Sequence, residues 1–178
     1  HCAEFACLSL LAIRALRHAE PSACDTAQVS RILDDTVRIA PELILRAFKL
    51  GYNNRHGGVF VTVDPDTGSP INNTMPWWSL PEFLRAAVAA LTIVPELSSP
   101  TGDRPYNERE LLEIVATAHN AYVNHYLNPE LYLFPYQTRD GNTGEVIPVT
   151  PAVPEGDPLY HTNLAYMDAL ELVDASRT

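Results

Sequence analysis

At 178 residues, with an apolar share of 46% and only 19% charged residues, the chain is long enough to bury one core and too sparsely charged to be a disordered tail. Twelve Lys and Arg against twenty-two Asp and Glu give a net charge of −10; such a chain repels a phosphate backbone unless its cations are gathered, and no such cluster occurs, which excludes a nucleic-acid partner. The longest apolar runs, such as Phe5 to Leu16, are interrupted by Arg14 and followed by Arg17 and His18, short of the roughly twenty residues a membrane span needs.

The first predicted helix runs from Ala3 to Leu16, where Phe5, Leu8, Leu11, Ile13 and Leu16 keep a helical period until Glu20-Pro21-Ser22 breaks it. Asp25 or Thr26 caps a second helix carried by Val29, Ile32, Leu33, Val37 and Ile39. Pro41 is expected to kink or restart it, with helical character resuming from Glu42 to Leu50. Gly57-Gly58 ends that pattern; the β-branched and aromatic run Val59 to Val63 and the turn Asp64 to Gly68 then predict a short hairpin ending near Ile71. From Trp78 to Leu91 a third helix follows, with Leu80, Leu84, Val88 and Leu91 along one face, before a loop over Pro95 to Pro105. Asn107 caps a fourth helix that holds Leu111, Ile114, Ala118 and Tyr122 and stops near Asn128-Pro129. A second hairpin takes Leu131 to Thr138 and Glu145 to Val149 as arms around Asp140 to Gly144, and a last helix covers Leu159 to Val173.

Helix, helix, hairpin, helix, helix, hairpin, helix is a supersecondary repeat, and helix pairs separated by hairpins point to a toroid whose inner helix ends and loops line one mouth. The expected fold is all-α, with short β-hairpins between helix pairs.

Cys2, Cys7 and Cys24 are an odd number without zinc-ligand spacing and read as buried small residues or bystanders. No signal peptide is visible, and Asn72-Asn73-Thr74 is the kind of sequon that chance supplies, so cytoplasm is the default compartment. The chain opens on His1 inside an apolar, helix-like run with no initiator Met or cap, and reads as a fragment or a processed product.

Of six histidines, two have surroundings that suit chemistry. His1 and Glu4 are three residues apart and share a helical face, so the carboxylate can orient the imidazole or bind a substrate hydroxyl; a surface pair is the plain alternative. His161, in Pro158-Leu159-Tyr160-His161-Thr162, opens the last helix where an imidazole can project into the mouth, or bond to backbone. Trp77 and Trp78 stand at a helix entrance beside Glu82 and Arg85. Adjacent helical side chains point about 100° apart, so at most one indole packs fully into the core while the other is placed to line a cleft. No phosphate loop, nucleophile elbow or metal pattern occurs, whereas Glu4, Asp64, Asp66, Glu82 and Asp157 keep glycosidase-type carboxylate chemistry open.

Three ordered segments resemble the N-acylglucosamine 2-epimerase, cellobiose 2-epimerase and mannose isomerase superfamily. His1 to Ala15 looks like its Gly-His-x-x-Glu helix, Gly57 to Ile71 with Pro76 to Ala87 like its hairpin and Trp-Trp-x-x-x-Glu helix, and Pro158 to Tyr166 like its final Tyr-His helix. The resemblance implies an (α/α)6 barrel, with residues 1–178 as the C-terminal part of a single barrel domain that holds only the later helix pairs. It implies that His1 and His161 are the acid and base moving a proton at C2 of an open-chain sugar, as a 2-epimerase or an aldose–ketose isomerase. Glu4, Trp77 or Trp78, Glu82 and Arg85 match substrate-binding positions. No metal or other cofactor is required, and the implied partners are a small-molecule sugar and the N-terminal remainder of the barrel, with a homodimer left open. Two alternatives stand beside this: a glycan hydrolase or lyase on the same toroid using carboxylates, and a non-catalytic carbohydrate-binding relative, since the arginine that often follows the family's last Tyr-His is replaced by Leu164 or a neighbour.

Overall fold

The computed structural model describes residues 1–19, 27–97, 106–127, 137–147 and 160–176. The chain is mainly helical. Helices α1 (Cys2–Ala19) and α2 (Ala27–Gly51) come first, followed by the short strands β1 (Tyr52–Asn53), β2 (Gly58–Val59), β3 (Thr62–Val63), β4 (Pro70–Asn72) and β5 (Thr74–Pro76). Then come α3 (Ser79–Leu97), α4 (Glu108–His125), β6 (Thr138–Asp140), β7 (Val146–Ile147), a π-helical turn (Tyr160–Leu164) and α5 (Ala165–Ala175). Cys24, the caps expected at Asp25 and Thr26, the hairpin arm from Leu131 to Tyr136 and Asp157 lie outside the described residues.

The helix at the centre is α3, which packs against α1, α2, α4 and α5. The one-face pattern expected for it is corrected by the structure: every residue from Pro81 to Ala90 is buried. Ala86, Ala87, Ala89 and Ala90 let neighbouring helices approach from several sides, as a helix enclosed all round requires. The helices around it are amphipathic. On α1 the buried residues are Ala3, Ala6, Cys7 and Leu10, three and four apart; on α4 they include Leu111, Ile114, Ala118 and Tyr122. Asn107 caps α4, its side chain accepting from the Arg109 N–H at 3.1 Å.

Two prolines lie inside helices, against expectation. α2 runs without a break through Pro41, and α3 continues through Pro95 to Leu97. A proline removes one helical hydrogen bond and crowds the preceding turn; the Pro41 ring is fully buried, so packing offsets that cost.

The hairpins are more elaborate than the sequence implies. β1 pairs with β2 and β3 with β4, both antiparallel, while β5 leaves its neighbours to pair with β6, forming the sheet β5-β6-β7 with Thr74 opposite Asp140. Two turns share one construction. The Asp64 carboxylate accepts from the N–H groups of Asp66 and Thr67, and that of Asp140 from Asn142 and Thr143. Each turn ends on a glycine of positive φ, Gly68 at 70° and Gly144 at 75°.

Gly141 locks this second turn against the first loop region. Its N–H donates to the Asn73 carbonyl at 2.7 Å, and its own carbonyl accepts from Asn53 Nδ2 at 2.7 Å. A Cβ here would collide with the Phe60 ring and lie 2.8 Å from the Asn73 carbonyl oxygen. Gly141→Ala is therefore expected to cost about 1–3 kcal/mol, the range of an overpacked site, read as a lower urea midpoint at unchanged m-value; an unchanged midpoint would show that the two loops are not rigidly joined.

The two turn carboxylates also set an acid dependence. Hydrogen bonds from Thr67 and Asp66 hold Asp64 below the ordinary 3.8, and those from Thr143 and Asn142 do the same for Asp140. As pH falls, the unfolded chain takes up protons at these groups before the folded one does. Their contribution is thus complete above pH 3.8 and is lost as pH drops through the folded values. Urea midpoints measured from pH 5 to pH 3 should fall more steeply for the native chain than for Asp64→Asn/Asp140→Asn, and parallel curves would contradict this origin.

Candidate active site

Three helix N-termini converge. The first turn of α1 carries His1 and Glu4, the entrance of α3 carries Trp78 and Glu82, and the π-helical turn opening α5 carries His161. A π-helical turn is a local irregularity often found where a side chain must be re-aimed for function.

Each histidine has its own carboxylate. His1 Nδ1 lies 3.2 Å from Glu4 Oε2, and His161 Nδ1 lies 2.8 Å from Glu82 Oε1. An ionised carboxylate only accepts, so Nδ1 is the donor in both pairs, and in the neutral imidazole the lone pair falls on Nε2. The side chain of His1 is 87% exposed and that of His161 25%. Both rings lie against one indole: the Trp78 ring centroid is 5.5 Å from that of His1, stacked at 26°, and 5.4 Å from that of His161, tilted at 34°.

The tryptophan pair divides its work as the helical geometry allows. Trp77 is 6% exposed and belongs to the core. Trp78 is half-buried and lines a cavity of about 320 Å³ together with His1, Glu4, Glu82 and Phe83. The far wall of that cavity comes from α2 and the hairpin, through Arg46 and the segment Phe60 to Val63. Nothing in the sequence pattern marks Arg46 or this wall, because exposed residues on α2 and β3 meet α1 only through the tertiary fold.

Beneath the cavity is a buried ion cluster. Glu82 Oε2 accepts from Arg85 Nη2, and Arg85 Nη1 donates to Asp168 Oδ2 at 3.0 Å. Arg85 is 1% exposed, and neither it nor His161 is among the cavity-lining residues; His161 adjoins the cavity through Trp78 and Glu82. Arg85 stands behind Glu82, which does line the cavity. Burial works against its charge, and Glu82, the Cys7 sulfur and the bonds to Glu82 and Asp168 outweigh that effect, so its pKa lies above the ordinary guanidinium value. Asp168 does not stand out in the sequence, although seven residues from His161 along a helix brings two side chains to nearly one face.

Oxygen and nitrogen atoms of Glu4, Glu82 and His161 all lie within 4.8 Å of one another, the one such group among the described residues with the spacing to hold a metal ion. All three side chains are already engaged with protein partners, Glu4 with His1 and Glu82 with His161 and Arg85.

Cys7 packs beside this cluster. Burial pushes its thiol up to about 12, with Arg85 opposing and Glu82, Asp168 and Glu4 adding to the rise. A thiol held protonated is a poor nucleophile, so Cys7 is a packing residue, whereas Cys2 is exposed. Iodoacetamide at neutral pH should label Cys2 in the folded protein and reach Cys7 only after unfolding, as read by peptide mass spectrometry; rapid native labelling of Cys7 would contradict this packing.

Comparison of the chain with family models, curated proteins and solved structures returns no match.

Proposed function

We propose that the chain is the later part of an (α/α)6 barrel, residues 1–178 of one domain, and that it acts on a sugar as a 2-epimerase or an aldose–ketose isomerase. The observation that carries the reading is that His1 and His161, from the two ends of the sequence, lie against the same indole, each with a carboxylate at Nδ1. Support for the barrel comes from the alternation of the helices: α1, α3 and α5 bring their N-termini together, while α2 and α4 pair with α1 and α3.

The chemistry follows from the protonation pattern. An imidazole with its lone pair on Nε2 removes the proton alpha to the carbonyl of an open-chain aldose, and the electron pair of the broken C–H bond moves into the C1–C2 bond to give an enediolate. The second imidazole, as imidazolium, returns a proton to the other face of C2 for epimerisation, or to C1 for isomerisation, in which the O2 hydroxyl also passes its proton to O1 as the carbonyl forms at C2. Proton and charge balance over the cycle, and each histidine is set to exchange its role in the reverse direction. Trp78 offers an aromatic wall for the C–H side of a sugar, and Glu4 an acceptor for a hydroxyl.

Carboxylate chemistry is the rival, since Glu4 and Glu82 approach each other beside the cavity. Both oxygens of Glu82 are engaged, one by His161 and the other by Arg85, which leaves this carboxylate poorly placed as a glycosidase acid or nucleophile.

The test is deuterium incorporation at C2 from deuterated water, with a panel of aldoses and the barrel complete. His1→Ala and His161→Ala should each reduce exchange by about 10²–10⁴-fold, the usual contribution of a positioned acid or base. Exchange retained in both variants overturns the reading. Bond cleavage without exchange, lost on Glu4→Gln, would establish the hydrolase or lyase, and sugar binding without turnover the non-catalytic relative.

A further inference from the structure

The buried cluster poses a problem of competition. Glu82 has two oxygens and two suitors: His161 Nδ1 on Oε1 at 2.8 Å and Arg85 Nη2 on Oε2. A guanidinium facing a carboxylate prefers to bind it through two parallel N–H bonds, and a bidentate Arg85 would put a second, charged donor on the oxygen that His161 uses. In the structure it does not, because Nη1 is turned away to Asp168 Oδ2 at 3.0 Å. Arg85 Nε is buried without a hydrogen-bond partner, so the plane of the guanidinium is fixed by its bonds to Glu82 and Asp168.

We infer that Asp168 is a positioning residue for His161: by holding one arm of Arg85 it keeps the arginine monodentate on Glu82 and reserves the other Glu82 oxygen for the imidazole. The four groups form a two-by-two array across one helix contact. Glu82 and Arg85 stand one turn apart on α3, while His161 and Asp168 stand seven residues apart along the π-helical turn and α5. Asp168 is neither a cavity-lining residue nor a hydrogen-bond partner of His161; its effect runs through Arg85 and Glu82. Charge points the same way. One buried cation faces two carboxylates, so removing Asp168 strengthens the pull of Glu82 on Arg85 and favours the bidentate arrangement. His161 Nδ1 then shares its acceptor with a cation, which weakens its bond and lets part of the population carry the ring proton on Nε2, the nitrogen that must hold the lone pair to act as a base.

The inference rests on the reading of His161 as an acid or base, and its first measurement does not depend on catalysis. The tautomer of His161 is read from its ring 15N shifts in the full chain, assigned with His161→Gln, for the native protein and for Asp168→Ala and Asp168→Asn. The native ring should be the Nδ1–H tautomer; Asp168→Ala should move a substantial fraction to Nε2–H, and Asp168→Asn, which keeps an acceptor but no charge, should fall between. Adding Arg85→Lys to Asp168→Ala should restore the Nδ1–H signal, because an ammonium cannot bind the carboxylate as a planar fork. In the exchange assay kcat should drop on the order of 10²-fold in Asp168→Ala, the scale of a small misplacement of a reacting group, with KM little changed.

If Asp168→Ala fails to fold by circular dichroism, the isosteric Asp168→Asn decides the question. An unaltered His161 spectrum in a folded Asp168 variant overturns the inference, as does a shifted spectrum that Arg85→Lys fails to restore. A shifted and restorable spectrum in a protein that never exchanges C2 protons upholds the positioning role and overturns the epimerase reading instead.

Discussion

A guanidinium at 1% exposure in the middle of the central helix constrains everything around it. A charge removed from water costs several kcal/mol unless it is paired and hydrogen-bonded, so Arg85 obliges α3 to supply Glu82 one turn earlier and α5 to supply Asp168 from across the interface. That requirement fixes how α5 sits on α3, and with it the position of His161. A hydrophobic contact of similar area would tolerate sliding; a planar fork between two carboxylates does not.

The second organising fact is that the site belongs to alternate helices. α1 and α3 place their first turns beside the cavity, His161 reaches it through Trp78 and Glu82, α2 closes its side and α4 packs on α3. Residues distant in sequence therefore meet without any long connecting loop having to carry them. The sheet β5-β6-β7 adds a second tie, because β5 runs directly into Trp77 and Trp78. Backbone pairing with the segment between α4 and α5 thus anchors the aromatic wall of the cavity.

Local features are legible in the sequence and tertiary ones are not. The cap at Asn107, the turns at Asp64 and Asp140 and the existence of each helix follow from side-chain chemistry acting over a few residues. The pairing of β5 with β6 does not, since three-residue strands carry almost no periodic signal and their partners are far apart in the chain. The all-round burial of α3 is hidden by Glu82 and Arg85, whose charges read as a polar face until their partners are seen. Periodicity allows one of Trp77 and Trp78 in the cleft, but which one depends on the angle at which β5 delivers the chain to α3. His1, Glu4, Glu82 and His161 are marked by motif resemblance and local spacing, and the structure brings all four to one place. Asp168 carries no such mark, because its meaning depends on an arginine on another helix.

The convergence of three helix starts has an electrostatic consequence. The peptide dipoles of a helix leave about half an elementary positive charge at its first turn, and the first turns of α1 and α3 line the cavity. The N–H groups of these turns partly offset the charge of the Glu4 and Glu82 carboxylates that line the cavity. The dipoles are set by the backbone, so this offset is in place before any ligand arrives.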